Sequence, residues 1–399
     1  MPTNPSIIAL PELNAAQRVQ STAVTTVMRN RIDAAGGWIT FADFMQIALY
    51  EPGLGYYSAG AQKFGAAGDF ITAPELSELF CECVAAQMRA VLRETGGSVL
   101  ELGAGTGRLA AVALLELESS GGLADQYCIL EVAADLRARQ RLNVAQRAGN
   151  AASRARWLTT MPAAFTGVVF ANEVLDAMPC ERFVMRGGVP RQLGVGCSGD
   201  GFAWQERPKA AQTREQCSRF DVAAAELAPQ LQSLADGYMG ELNTLQAGLI
   251  AALGDALDRG VVLFVDYGLP RAHFYHPQRG AGSLRCYFQH RAHDDPFFHV
   301  GLTDITAWVD FTRIAAAAQN AGLCVAGFTT QAAFLLGNGI EQRMRQVGDD
   351  ALAMAKLAHQ ARQLLLPGEM GEAFKVMALT KNFDAPLPAF VQQDLRYSL

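Results

Sequence analysis

Apolar positions recur at helical spacing near the start of the chain, at Val19, Ala23 and Val27 and again at Phe41, Phe44, Ile47 and Ala48. This predicts two helices between residues 15 and 50, broken at Gly36-Gly37. The residues before Asn14 hold three prolines and no period, which reads as a loose arm. Glu51 to Glu75 is rich in glycine, aromatic residues and proline, too long for a simple turn, and a helix is expected from Leu76 to Arg93. From Gly97 onward short apolar runs alternate with helical patterns. The runs 98–103, 127–132, 166–175 and 261–268 read as strands; 107–120, 133–147 and 247–258 read as helices. That alternation predicts an α/β fold with a parallel, doubly wound, Rossmann-like sheet. The stretch from Phe183 to about Ala235 breaks the alternation with short β segments around Gly-Gly and Ser-Gly-Asp-Gly turns, a small β insertion. A helix from Asp304 to Gly322, a strand pair within 324–336 and a helical C-terminal region complete the pattern, and no internal repeat is present. The expected layout is N-terminal helices and lid at 1–95, core at 96–182, β insertion at 183–238, core again at 239–330 and a C-terminal region at 331–399.

Candidate chemistry sits where the first of these strands meets its helix. Glu101-Leu-Gly103-Ala-Gly105-Thr-Gly107 supplies glycines that permit a tight turn and let a ligand approach the backbone. The free N–H groups of the following helix favour an electron-rich group there. A dinucleotide fingerprint needs glycine or alanine one place further on, but Arg108 stands there, which argues against a nicotinamide-dependent oxidoreductase. The acid two residues ahead of the first glycine fits instead the E-x-G-x-G-x-G loop of class I methyltransferases. Glu131, 28 residues after Gly103 at the end of the next strand, is placed to accept hydrogen bonds from both hydroxyls of a ribose.

Composition narrows the field. The chain has 399 residues, half of them apolar, and a formal net charge of −6, so a nucleic acid partner is not expected. Apart from Cys81 and Cys83, the cysteines are scattered singly without zinc spacing, which predicts reduced thiols and no metal. His290, His293 and His299 lack the i, i+4 or H-x-H spacing of ligands on one element. The apolar runs are strand-sized, so no membrane span is expected, and the first residues resemble neither a signal nor a transit peptide, which makes a cytoplasmic location the expectation.

Beyond the glycine loop, ordered segments run along nearly the whole chain: Pro52-Gly-Leu-Gly-Tyr56-Tyr57, Gly68-Asp69-Phe-Ile-Thr72-Ala-Pro74-Glu75, Ala171-Asn172-Glu173-x-x-Asp176-Ala-Met-Pro179, Val265-Asp266-Tyr267-Gly268, Asp304-Ile-Thr306-Ala-Trp-Val-Asp310-Phe311 and Pro367-Gly-Glu-Met-Gly371. In this order they resemble the MidA-like methyltransferases, whose mitochondrial members are complex I assembly factors with protein-arginine methyltransferase activity. The sequence departs from that family at Trp308, where histidine is common, and at Val300, where proline usually precedes the glycine.

The resemblance implies S-adenosylmethionine as cofactor, held by Glu101, Gly103, Gly105, Gly107 and Glu131. Asp69, Thr72, Pro74 and Glu75, with Tyr56 and Tyr57, would close over it as a lid that excludes water. Glu173, Asp176 and Asn172 lie just past a predicted strand, at the sheet edge where ligands bind, and are the candidate catalytic residues. Tyr57, Asp266 and Tyr267 are candidates for substrate binding. A competing reading makes Glu173 a helix-start acid stabilised by the dipole. The implied partner is a protein carrying the methylated arginine, with a respiratory complex I subunit the candidate. The alternative is a non-catalytic assembly factor that uses the same cofactor fold as a docking surface.

Overall fold

The structure, a computed structural model, describes residues 11–59, 72–119, 121, 124–208, 215–345 and 350–399. It divides into two compact units. One comprises Met1–Phe70, Pro179–Thr244 and Pro277–Ala307, the other Ile71–Met178, Leu245–His276 and Trp308–Leu399.

The second unit is built on one sheet. In chain order its main strands are β1 Ser98–Leu102, β2 Tyr127–Leu130, β3 Ala155–Leu158, β4 Phe165–Asn172, β5 Leu257–Leu269, β6 Cys324–Thr330 and β7 Phe374–Lys381. They lie side by side as β3-β2-β1-β4-β5-β7-β6. The first five are mutually parallel, and β7 runs antiparallel to both neighbours. The chain goes outward from β1 to β2 and β3, then returns to the other side of β1 at β4. That reversal leaves a crevice between the C-terminal ends of β1 and β4, where open α/β sheets bind ligands.

Both faces of the sheet are covered, which is why its central strands are continuously apolar instead of alternating. Val261, Leu263 and Val265 of β5 pack on one side with helices α1 Glu78–Thr95, α2 Arg108–Ser119 and α3 Ala134–Ala148. Val262 and Phe264 pack on the other with α4 Gln246–Ala256 and α5 Phe311–Asn320. Burying a side chain of this size is worth about 1.5–3 kcal/mol, and β5 gains it on both faces.

Four expectations change. The helix expected from Asp304 begins at Phe311: Asp310 accepts from the Arg313 amide at 3.2 Å as N-cap, while Asp304–Thr306 and Val309–Asp310 are short strands. The strand pair expected within 324–336 is β6 followed by the helix Gln331–Gly337, which Thr330 caps through the Ala333 amide. The real partner of β6 is β7, in a region that reads as helical from sequence. β3, absent from the expected strands, carries Arg156 and forms the sheet edge.

The first unit holds helices Ala15–Ala34 and Phe41–Tyr50 and a five-stranded antiparallel sheet of Ile39–Thr40, Glu181–Arg186, Val189–Ser198, Gly201–Glu206 and Met239–Leu242. Gly187 and Gly188 both have positive φ, 57° and 73°, and make the two-residue hairpin turn between Arg186 and Val189. A three-stranded sheet of Arg285–Phe288, Arg291–His293 and Asp304–Thr306 completes the unit.

Candidate active site

The loop between β1 and α2 turns on three left-handed glycines: Gly103, Gly105 and Gly107 have φ of 65°, 53° and 82°. A side chain at Gly107 would press on Val144 at 3.2 Å, and one at Gly103 on Val174 at 3.0 Å. At Gly105 no atom lies within 4 Å of the position a Cβ would take. There glycine is required by its φ, and the space beside it is open.

Neighbouring elements hold this loop through its main chain. Gln140 of α3 donates to the Gly105 carbonyl at 3.1 Å and Asn143 donates to that of Thr106 at 2.9 Å. The Thr106 hydroxyl donates to the Glu75 carboxylate, and Arg108 donates to the Glu75 carbonyl at 2.6 Å. Thr72 occupies the N-cap position of the short helix Ala73–Leu76, with Pro74 in its first turn. Asp69 lies outside the described residues.

The two acids assigned to the cofactor differ in setting. Glu101 is buried on the α1–α2 side of the sheet and accepts from the Tyr127 hydroxyl at 2.9 Å; burial pushes its carboxyl up to about 8. Glu131 is half-buried, just past β2. Its carboxylate accepts from the Ala133 amide at 2.9 Å and from Gln140 at 3.2 Å. Gln140 is fully buried and also accepts from the Trp157 indole at 3.0 Å, so one side chain ties glycine loop, acid and β3 together. The sequence carries its signal as a polar residue in the buried i, i+4, i+8 stripe Gln140, Val144, Ala148.

The second cluster forms where β4 ends. No helix starts at Glu173: residues 173–178 hold no helix, which removes the helix-start reading of this acid. Glu173 has a φ of 51°, a strained conformation for a residue with a Cβ, held by its amide donating to Val265 O at 2.9 Å and by Asn172 donating to its carboxylate at 2.9 Å. Asp266, at the end of β5, accepts through Oδ2 from the amides of Leu175 and Asp176 at 2.9 and 3.3 Å, and through Oδ1 from that of Tyr267 at 2.9 Å. These bonds make Asp266 a clamp on the loop. Gln246 of α4 holds the same loop from the opposite direction, donating to Leu175 O at 2.8 Å. The Tyr267 hydroxyl donates to Asp176 Oδ2.

Three carboxyl groups thus crowd one sheet edge. Burial raises Asp176 to about 6, and burial with the nearby charges of Asp176 and Glu173 raises Asp266 well above its ordinary range. Two acceptor atoms here, Asp176 Oδ1 and Asn172 Oδ1, are buried without a hydrogen-bond partner. A buried acceptor left without a partner costs about 1–3 kcal/mol, and a donor brought within reach would recover it. The structure therefore brings Asn172, Glu173, Asp176, Asp266 and Tyr267 together beside the glycine loop. Tyr57 belongs to the other unit, where its hydroxyl donates to Asp304 at 2.9 Å.

The described residues contain no group of three or more His, Cys, Asp or Glu placed to hold a metal, and no helix among them is long and apolar enough to cross a membrane. Their cysteines are free thiols, with Cys197 half-buried, Cys324 exposed and the other five buried.

Comparison with known proteins agrees with this geometry. The family model described as "Putative S-adenosyl-L-methionine-dependent methyltransferase" matches residues 79–329, most of the sheet included. The chain belongs to this family. A crystal structure of a Burkholderia thailandensis protein bound to S-adenosyl-homocysteine is 39% identical and covers 98% of this chain and 100% of its own, with a TM-score of 0.92. Among curated relatives, the mitochondrial protein arginine methyltransferase NDUFAF7 of Danio rerio is 28% identical over 86% of this chain and 84% of its own length. Its human counterpart is 25% identical, with 86% and 80% covered.

The protein is a class I methyltransferase, and S-adenosylmethionine is its cofactor. The site fits that group. The open side of Gly105 admits a ligand to the backbone, the loop leads directly into α2, and Glu131 follows the end of the neighbouring strand. Gly103, Gly105, Gly107 and Glu131 would hold the cofactor, with Glu75 bracing the loop through Thr106.

Proposed function

We propose that the methyl acceptor is the guanidinium of an arginine in a protein substrate. The observation that carries this reading is that the end of β4 and the loop after it hold two buried acceptors without a partner, Asn172 Oδ1 and Asp176 Oδ1, with Asn172 also donating to the Glu173 carboxylate. A guanidinium is a planar cation with five N–H donors and no acceptor, the complement of such a set. An ammonium offers fewer donors and no plane. The mitochondrial relatives named as protein arginine methyltransferases favour the same acceptor.

The bound cofactor supplies an activated methyl group on a sulfonium. What the chain's own residues contribute is orientation and charge. Glu173, fixed by Asn172 and by the strained backbone at the end of β4, pairs with the guanidinium and sets its plane. Asp266 and Gln246 keep the loop rigid by holding its amides and a carbonyl, so its carboxylates need no rearrangement when substrate arrives.

The test is labelled-methyl transfer from S-adenosylmethionine to a whole-cell lysate and to peptides with arginine or lysine as sole acceptor, read by mass spectrometry. Label on arginine is expected; label confined to lysine or to a small molecule would overturn the reading. The resemblance to MidA-like proteins makes respiratory complex I subunits the first acceptors to try.

A further inference from the structure

Besides Val265 and Asp266, β5 reaches the loop after β4 through the side chain of Tyr267. Its hydroxyl donates to Asp176 Oδ2, while Asp176 Oδ1 is buried and unpartnered. Its ring is fixed edge-on against Phe374 at 5.3 Å and Trp308 at 6.2 Å, so the hydroxyl cannot swing away without displacing two aromatic neighbours. One carboxylate oxygen is therefore held, and the other is left as an acceptor. We infer that Tyr267 is a positioning residue which holds Asp176 so that Oδ1 takes up the proton shed by the acceptor nitrogen on methylation. This rests on the arginine reading above.

The step balances. The acceptor nitrogen forms a bond to the methyl carbon as the methyl–sulfur bond breaks and leaves its electron pair on sulfur. One N–H bond breaks, its pair stays on nitrogen, and the proton passes to the Asp176 carboxylate and later to water. A guanidinium gives up a proton reluctantly, so an acceptor beside it matters more here than for an amine.

The surroundings of Asp176 suit that role. Burial raises its carboxyl to about 6, and the Tyr267 hydroxyl and main-chain amides pull it back down. Asp266 on β5 lies close enough for the charges of Asp176 and of Glu173 to raise it. Lys375 of β7, in register with Asp266, turns its ammonium to the Glu372 carbonyl. With the hydroxyl removed, Asp176 would hold its proton to higher pH.

The experiment compares the wild type with Tyr267→Phe, which keeps the ring packing and removes only the hydroxyl. The pH profile of kcat with an arginine peptide should show an acidic limb that moves to higher pH in the variant, with activity recovering above it and cofactor affinity unchanged. A uniform loss at every pH, with the limb in place, would make Tyr267 merely structural and overturn the proposal, as would an unaltered profile. A second measurement needs no acceptor: carboxyl-carbon NMR of aspartate-labelled protein, with the Asp176 signal identified by its loss in Asp176→Asn. That signal should titrate at higher pH in Tyr267→Phe. Identical titrations would show that Tyr267 does not hold Asp176. If instead the titrations differ but no arginine peptide is methylated by the wild type, the arginine reading fails, and with it the proton transfer, while the hold on Asp176 stands.

Discussion

The two carboxylic acids nearest the glycine loop show how much the setting of a side chain decides. Glu101 and Glu131 both stand at or near the C-terminal end of a strand, but one is buried in the core and the other is half-buried. Glu101 is buried against Tyr127, and its carboxyl is raised from 4.5 to about 8. Its folded state therefore keeps a proton that the unfolded chain has already lost. The stability from that proton is full below about pH 4.5 and is lost as pH rises to about 8. Glu101→Gln, which cannot ionise, should then gain stability relative to the wild type as pH is raised across this window. Thermal melts from pH 5 to 8 check this; a constant difference would show that Glu101 is ionised throughout. Glu131 is half-buried, just past the neighbouring strand. It already accepts from Ala133 and Gln140 and keeps acceptor capacity for a sugar. Removing two charge-assisted bonds in Glu131→Ala should weaken S-adenosylhomocysteine binding by about 2–3 kcal/mol, roughly 30- to 150-fold, with calorimetry as the measure. Wild-type affinity would remove Glu131 from the cofactor site. The substrate acid is tested the same way. Glu173→Gln keeps size and some hydrogen bonding but removes the charge, so methyl transfer should fall at least about tenfold while cofactor affinity holds. Loss of both together would place Glu173 on the cofactor. These residues were legible because their chemistry is carried by type and spacing: glycines two apart after an apolar run, acids at strand ends. What the acids do to one another was not legible, because burial and the Tyr127 and Tyr267 hydroxyls come from other strands.

At the scale of elements, the site depends on what the helices and strand ends present to the loops. α3 does more than cover the sheet. Through Gln140 it fixes the Gly105 carbonyl, one oxygen of Glu131 and the Trp157 indole of β3, and through Asn143 it fixes the Thr106 carbonyl. Gln140→Met preserves length and apolar packing but strips these bonds and leaves the indole without its acceptor. Cofactor affinity should fall about three- to tenfold although Gln140 is itself buried beneath the loop, and the melting temperature should drop by a few degrees. An unchanged affinity would mean that the loop keeps its shape without α3. The strands themselves were readable where both faces are buried, as in β1, β4 and β5, since a continuous apolar run of that length has few alternatives. β3 and β7 were not. β3 is four residues with an arginine among them, and β7 follows a helical turn with Lys375 near its start, so neither has a period to recognise. The turn at Glu173 escaped for another reason. An acid after a strand ordinarily starts a helix in this fold class, and the left-handed φ that prevents it is imposed by the bonds to Val265 and Asn172.

For the molecule as a whole, the described residues assigned to the cofactor fall in the unit built on the seven-strand order, drawn from segments that are distant in sequence. A ligand that binds the folded state alone stabilises it by mass action, about 2.7 kcal/mol when present at a hundred times its dissociation constant. Because the contacts proposed here gather at the ends of β1 and β2, that stabilisation should also have a location. Hydrogen exchange of the protein with saturating S-adenosylhomocysteine should slow most in residues 102–107 and 131–133, and next in residues 140–143, whose side chains brace the loop. The strands of the other unit, 181–186 and 189–198, contribute no residue to the cofactor set, and their exchange should change least. A thermal melt recorded alongside should shift upward with ligand concentration, as a single transition or as one of two if the units unfold separately. Protection concentrated in 181–198, with the glycine loop unaffected, would place the cofactor elsewhere. A thermal shift without local protection at 102–107 would show binding that does not use the loop, and Gly105→Val would separate these cases. Its side chain enters open space beside a backbone that only glycine adopts at ease, so it should abolish the exchange pattern at the loop while leaving that of 181–198 as in the wild type.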